Sequence, residues 1–237
     1  MVDFSGGTWR SLIDGSEVSA IPDSVLEDFE WGGPLSDRYD GNFRGADIVE
    51  DSTLEGDFLV ESPDVDEFAF FNDESDGPTT EQGMAYLCWV DIGTDDDTRL
   101  STLMHVNEDD GDLFAYGFRL NEFAGEINIM KQDGGTSDIT QGSDWDETLA
   151  SETTTITQAP ATIVFGQNDD GEIRFEHYDD KLIDPEDILD ESPDGTVSVN
   201  DTTHTSGTIG WVEDAGREGQ KMDNYVHLAG FETIFSD

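Results

Sequence analysis

The chain has 237 residues, with 57 Asp and Glu against 10 Lys and Arg, for a formal net charge of −47. Hydrophobic residues make up 35% and aromatics 10%, which is enough to build a core and excludes a wholly disordered chain. So acidic a surface offers no basic patch to phosphate, which excludes nucleic-acid binding.

The acids run through every segment, as in "GDFLVESPDVDEFAFFNDESDGP" (56–78). A disordered acidic tail would instead concentrate them in one block. Like charge at this density pushes a compact state apart at low ionic strength. At 1 M salt the Debye length falls to about 3 Å and the repulsion is screened. The composition therefore reads as a folded surface adapted to brine.

In chain order, residues 1–24 are Gly- and Ser-rich with a few apolar anchors, Phe4, Trp9, Leu12 and Ile13. They read as an N-terminal arm that docks on another subunit, since these side chains have nothing local to pack on; a floppy terminus is the other reading. No basic stretch leads into an apolar one, so no secretory signal is expected, and no run is long and apolar enough to span a membrane. From residue 25 to 237 the pattern is one all-β domain. Period-two alternation between Gly, Asn, Asp and Pro breaks predicts strands over 27–31, 44–50, 56–62, 67–72, 83–92, 98–106, 112–120 and 124–131. Further strands are predicted over 161–167, 171–178, 206–213 and 220–235. "NEDDGD" (107–112) and "QNDDGE" (167–172) are predicted hairpin turns, because Asn, Asp and Gly tolerate positive φ. Residues 133–155 read as a polar crossover loop carrying Trp145, and "DPEDILDE" (184–191) as a short helix opened by Asp184 and Pro185. Cys88, the single cysteine, excludes an internal disulfide and reads as a small buried hydrophobe. Trp89 alternates with core residues and is expected inside.

Three stretches carry a family resemblance. "VLEDFEWGGPLSDRYDG" (25–41), "DIVEDSTLEGDFLVES" (47–62) and "TSGTIGWVEDAGREGQKMDNYVHLAG" (205–230) resemble, in the same order, elements of concanavalin A-like lectin/glucanase (LamG-like) domains of haloarchaeal proteins. The resemblance implies a concanavalin A-like jelly-roll β-sandwich behind an extended arm. The arm, "TWRSLIDGSEVSAIPDSV" (8–25), resembles leaders of structural proteins from haloarchaeal tailed viruses and proviruses. That implies a virion protein, a capsid turret or decoration or a tail fibre or baseplate component. Its partners would be copies of itself, other virion proteins and a host-surface glycan or S-layer glycoprotein. A haloarchaeal carbohydrate-binding module or polysaccharide hydrolase is the alternative.

No residue set reads as catalytic. A retaining glycosidase needs two carboxyl groups about 5–5.5 Å apart. The densest candidate, Glu61, Asp64, Asp66 and Glu67, is interrupted by Pro63 and does not share a strand face. His105, His177, His204 and His227 lack metal-ligand spacing, and no nucleophile elbow or phosphate loop is present. For glycan stacking the candidates are Trp145, Tyr178 and Trp211, with a lid over the core as the other reading of Trp145. The resemblance implies a structural Ca2+ where first and last strands meet, on Asp28, Glu30, Asp223 and Asn224; solvated surface acids are the other reading of these residues.

Overall fold

The computed structural model describes residues 2–3, 10–11, 25–27, 39–42, 46–51, 53–54, 58–61, 68–71, 79–93, 98–110, 112–134, 145–213 and 220–235. The strands are β1 Val2–Asp3, β2 Arg10–Ser11, β3 Val25–Glu27, β4 Asp40–Asn42, β5 Asp47–Glu50, β6 Phe58–Glu61, β7 Phe68–Phe71, β8 Thr79–Glu81 and β9 Met84–Asp91. They continue with β10 Arg99–Asp109, β11 Asp112–Asn121, β12 Glu126–Asp133, β13 Glu147–Thr153, β14 Ala161–Gln167, β15 Glu172–Tyr178, β16 Gly195–Asn200, β17 Ser206–Glu213 and β18 Lys221–Gly230. A single helical turn, α1 (Phe231–Ile234), closes the described chain.

Two eight-stranded sheets form the sandwich. The front sheet runs β13-β12-β11-β10-β17-β7-β4, with β8 also on β17; the back sheet runs β16-β15-β14-β9-β18-β6-β5, with β3 on β18. Every pairing between strands is antiparallel. The predicted all-β sandwich is thus observed. β1 and β2 pair separately with one another inside the arm.

The core lies between the sheets. Phe118 of the front sheet stacks on Phe165 of the back sheet at 4.4 Å between centroids, and meets Phe175 edge-on at 5.5 Å. Such pairs contribute about 0.5–1.5 kcal/mol beyond the area they bury. Cys88 and Trp89 are buried as expected, Cys88 in the central cluster and Trp89 in a second cluster on the back sheet's outer face. β9 and β14 are buried along almost their whole length. This explains why both read as near-continuous apolar runs: each is covered on both faces.

Several expectations are corrected. Predicted loop 133–155 contains β13, an edge strand with mostly exposed or half-exposed side chains, so it lacks apolar alternation. β4, β8 and β16 were not predicted; β4 and β8 span three residues each, too few to show a period, and β16 alternates only through Val197 and Val199. The expected helix over 184–191 is a turn followed by one 3-10 turn, Ile188–Asp190, with buried Ile188 tethering it to the sheet. The expected final strand 220–235 stops at Gly230. There the Phe231 amide donates to the Gly83 carbonyl at 2.7 Å, and Phe231 packs on Phe235. Both predicted hairpins form. In the second, Gly171 adopts φ +90 and Asn168 Oδ1 accepts from the amides of Asp170 and Glu172.

Candidate functional site on the front sheet

The register of β10 to β13 decides which side chains share the front sheet's outer face. Tyr116, Phe118 and Leu120 point into the core, so Gly117, Arg119 and Asn121 point outward. The pairings align Ser101, Arg119, Asn128 and Ser151 in one row across the four strands. Beside it runs Arg99, Asn121, Glu126 and Thr153. Arg119 Nε donates to Asn128 Oδ1 at 3.1 Å, and Asn128 Nδ2 donates to Ser151 Oγ at 2.9 Å and to Glu126 Oε2 at 3.3 Å. Ser101 is fully buried, and its hydroxyl has no hydrogen-bond partner among the described residues. Buried hydroxyls without partners are costly and are uncommon in folded proteins.

The next row is apolar. Leu103, Val106, Leu113, Ala115, Met130 and Val212 gather around Trp145. The indole lies over Gly117, where an added Cβ would come within 2.2 Å of a ring carbon. Glycine is required here because the ring needs bare backbone to reach the sheet. Trp145 Nε1 is buried without a partner among the described residues.

At the turn of the hairpin between β11 and β12 stands Phe123, 64% exposed. The Arg99 guanidinium lies 5.8 Å from its ring centroid. A well-exposed aromatic ring beside rows of hydrogen-bonding side chains can engage both the C–H face and the hydroxyls of a sugar.

The stacking candidates from the sequence are corrected by burial. Trp145 is 6% exposed, Tyr178 2% and Trp211 0%, so none presents a free face to a ring. Trp211 is an interior side chain edge-on to Tyr39. Trp145 belongs to the right face but acts as an anchor within it. Tyr178 lies on the opposite outer face, its hydroxyl donating to Glu176 at 2.8 Å. Sequence reading missed Phe123, Arg119 and Asn128. Only the position of "NEFAG" (121–125) in a hairpin turn could have marked Phe123, since a Phe in a turn has no strand face to fill.

β3 does pair with β18, through Tyr225 with Glu27 and Val226 with Val25, so first and last sandwich strands meet. The side chains of Asp28, Glu30, Asp223 and Asn224 lie outside the described residues, as do those of Phe4, Trp9, Leu12 and Ile13. Among the described residues no group of three or more His, Cys, Asp or Glu is arranged to hold a metal ion.

The histidines serve packing. His105, at a bulge with φ 57, links the sheets: Thr80 Oγ1 lies 2.8 Å from Nδ1, and Nε2 lies 3.0 Å from Gln167 Oε1 of β14. An amide oxygen can only accept, so Nε2 carries a proton. Burial holds its pKa down to about 4. His204 is also pushed down by burial, and its Nε2 donates to the Gln132 carbonyl at 2.8 Å.

No protein-family model matches this sequence, and no curated protein sequence matches it. Among solved structures the chain is similar to the exoplasmic/lumenal domain of VIP36 in its Ca2+-bound form, with TM-score 0.54 and 9% identity, covering 86% of this chain and 89% of that one. The Ca2+/Man3GlcNAc-bound form of that domain gives TM-score 0.51 and 9% identity over 87% of each chain. The potassium-bound carbohydrate recognition domain of Emp46p gives 0.50 and 14%, covering 82% and 90%. At these identities the likeness establishes the fold alone, a concanavalin A-like jelly-roll β-sandwich.

Proposed function

We infer that this protein binds glycans, without catalysis, through the outer face of its front sheet. The observation that carries this reading is Phe123, exposed at the hairpin turn with the Arg99 guanidinium beside its ring, at the margin of a polar row in which Ser101, Arg119 and Asn128 are buried and Ser151 is exposed. A sugar's apolar face suits the phenyl ring, and its hydroxyls can meet Arg99, Glu126 and Ser151, the members of the two rows that reach the surface. The reading is further supported by the fold, shared with a VIP36 domain solved with Man3GlcNAc and a domain named for carbohydrate recognition in Emp46p. A glycan array probed in molar salt tests it. Phe123→Ala is expected to weaken the best ligand at least tenfold while changing stability by less than about 0.5 kcal/mol, as for an exposed side chain. Retained affinity in both Phe123→Ala and Arg99→Ala would sink the reading.

A structural Ca2+ belongs to the same proposal, held by Asp28, Glu30, Asp223 and Asn224 near the meeting of β3 and β18. It is supported by the oxygen-rich donor set and by the Ca2+-bound form of the similar VIP36 domain. Asp223→Ala should lower Tm, and chelator should reproduce the loss in the unaltered protein; no change in either retires the ion.

The setting proposed is the virion of a halophilic archaeal virus, as a capsid turret, decoration or tail component. There Phe4, Trp9, Leu12 and Ile13 anchor the arm and symmetry makes the protein a homo-oligomer. A host cell-surface glycan or S-layer glycoprotein is the partner. This rests on the arm's resemblance and the brine-adapted composition. Flanking portal, major capsid or tape-measure genes would support it; a neighbourhood of polysaccharide-metabolism genes would replace it.

A further inference from the structure

The outer face of the back sheet carries a different construction. Most of it is sealed by apolar side chains such as Leu87, Val164 and Leu228. Along β15, however, Ile173 and Phe175 point into the core, so Arg174, Glu176 and Tyr178 point outward and floor a cavity of about 590 Å3. That volume lies within the roughly 300–1,000 Å3 usual for small-ligand pockets. The 3-10 turn and Pro193 form one wall, and α1 forms the other.

The floor is a compensated ion pair. Glu176 is 5% exposed, and a carboxylate so deeply placed is tolerable only with partners. Its Oε1 accepts from Arg174 Nε at 3.1 Å and lies 3.0 Å from Nη2, and its Oε2 accepts from the Tyr178 hydroxyl. Arg174 Nη1 donates to the Phe235 carbonyl at 3.2 Å. Burial and the neighbouring Glu176 raise the Tyr178 pKa, so its hydroxyl keeps its proton. These contacts satisfy the pair without closing the space above it. The Arg174 side chain remains 21% exposed, and Glu191, Glu232 and Thr233 stand around the cavity.

We propose that this cavity is a second, independent ligand site and that it takes a neutral saccharide of one or two rings. An anion is disfavoured by Glu191, Glu232 and the net charge of −47. A wholly apolar ligand would strip water from Glu176 and Arg174 and return no hydrogen bonds. A small cation finds Glu176 already neutralised by Arg174 and Glu191 paired with Lys181 at 3.2 Å; what field remains is screened in molar salt. Sugar hydroxyls can donate to the carboxylate and accept from the guanidinium, while C–H faces meet Ile188, Leu189 and Ile234. The ligand class follows from this cavity's own chemistry, so this site and the front-sheet site can fail separately. With both occupied, one sandwich holds glycans on opposite faces.

The test is titration of mannose, glucose and fructose, with tetramethylammonium as the cationic probe, in molar salt. It is followed by isothermal calorimetry and saturation-transfer NMR in a Phe123→Ala background, so that the back face is read without the front lip. Leu189→Trp plugs the mouth from an exposed position and is expected to weaken saccharide binding at least tenfold with Tm unchanged. Glu176→Gln is expected to weaken it similarly. Should Glu176→Gln fail to fold, Leu189→Trp alone decides. Saccharide affinity indifferent to Leu189→Trp, no saccharide binding at all, or plug-sensitive binding of tetramethylammonium in place of sugar would each overturn the proposal.

Discussion

The two outer faces of this sandwich solve the same problem differently. Each sheet must cover the apolar side chains that alternation sends outward. The back sheet does so with its own chain: Ile183 and Ile188 from the segment after β15, and Phe231 and Phe235 from the end, pack over Leu87, Trp89 and Val164. The front sheet covers its apolar row with one large ring, Trp145 over Gly117, and leaves the neighbouring row polar. A face roofed by several chain segments can keep a cavity between them. On the front sheet the polar row beside the indole is itself largely buried, and exposure is confined to the hairpin turn at Phe123 and to the edge strand β13.

The largest expected effect tests whether Trp145 is the anchor of the front face. Gly117→Val places atoms where the indole now sits, and should cost about 3–5 kcal/mol, the range for losing a buried large side chain. Chemical denaturation in molar salt measures it. An unchanged midpoint would show that the front face is held by something else.

Next in size is the link between the sheets through His105. Its folded-state pKa is about 4 against an ordinary value near 6.5, so the folded protein binds the proton less readily than the unfolded chain. This contribution to stability is complete above pH 6.5 and is lost progressively as pH falls toward 4, amounting to roughly 3 kcal/mol. Carboxylates titrate in the same range, so the quantity to follow is the difference between the unaltered protein and His105→Asn, a residue that tolerates positive φ. A pH-independent difference would mean that burial does not hold this ring neutral.

The smallest effect compares the two tryptophans directly. Trp89 Nε1 donates to the Ile183 carbonyl at 3.1 Å, whereas Trp145 Nε1 has no partner among the described residues. Trp89→Phe strands a buried carbonyl, while Trp145→Phe removes an unsatisfied donor. The first should cost about 1 kcal/mol more than the second. Equal costs would imply that Trp145 Nε1 does find a partner.

Much of this was legible along the chain. Alternation located most of the strands because each long strand has at least one continuous apolar face. Cys88 and Trp89 could be placed inside because "MAYLCWVDIG" admits no exposed face. β13 was not legible, since an exposed edge strand in acidic sequence looks like a loop. Neither was the site. Ser101, Arg119, Asn128 and Ser151 are far apart in sequence and ordinary in type, and only antiparallel register sets them side by side. Trp145 looked exposed amid polar neighbours until Gly117 was seen to make room beneath it. Local residue order determines periodicity and turn chemistry, and hence the sheets. Which side chains meet across strands depends on long-range pairing, which no stretch of the chain contains by itself.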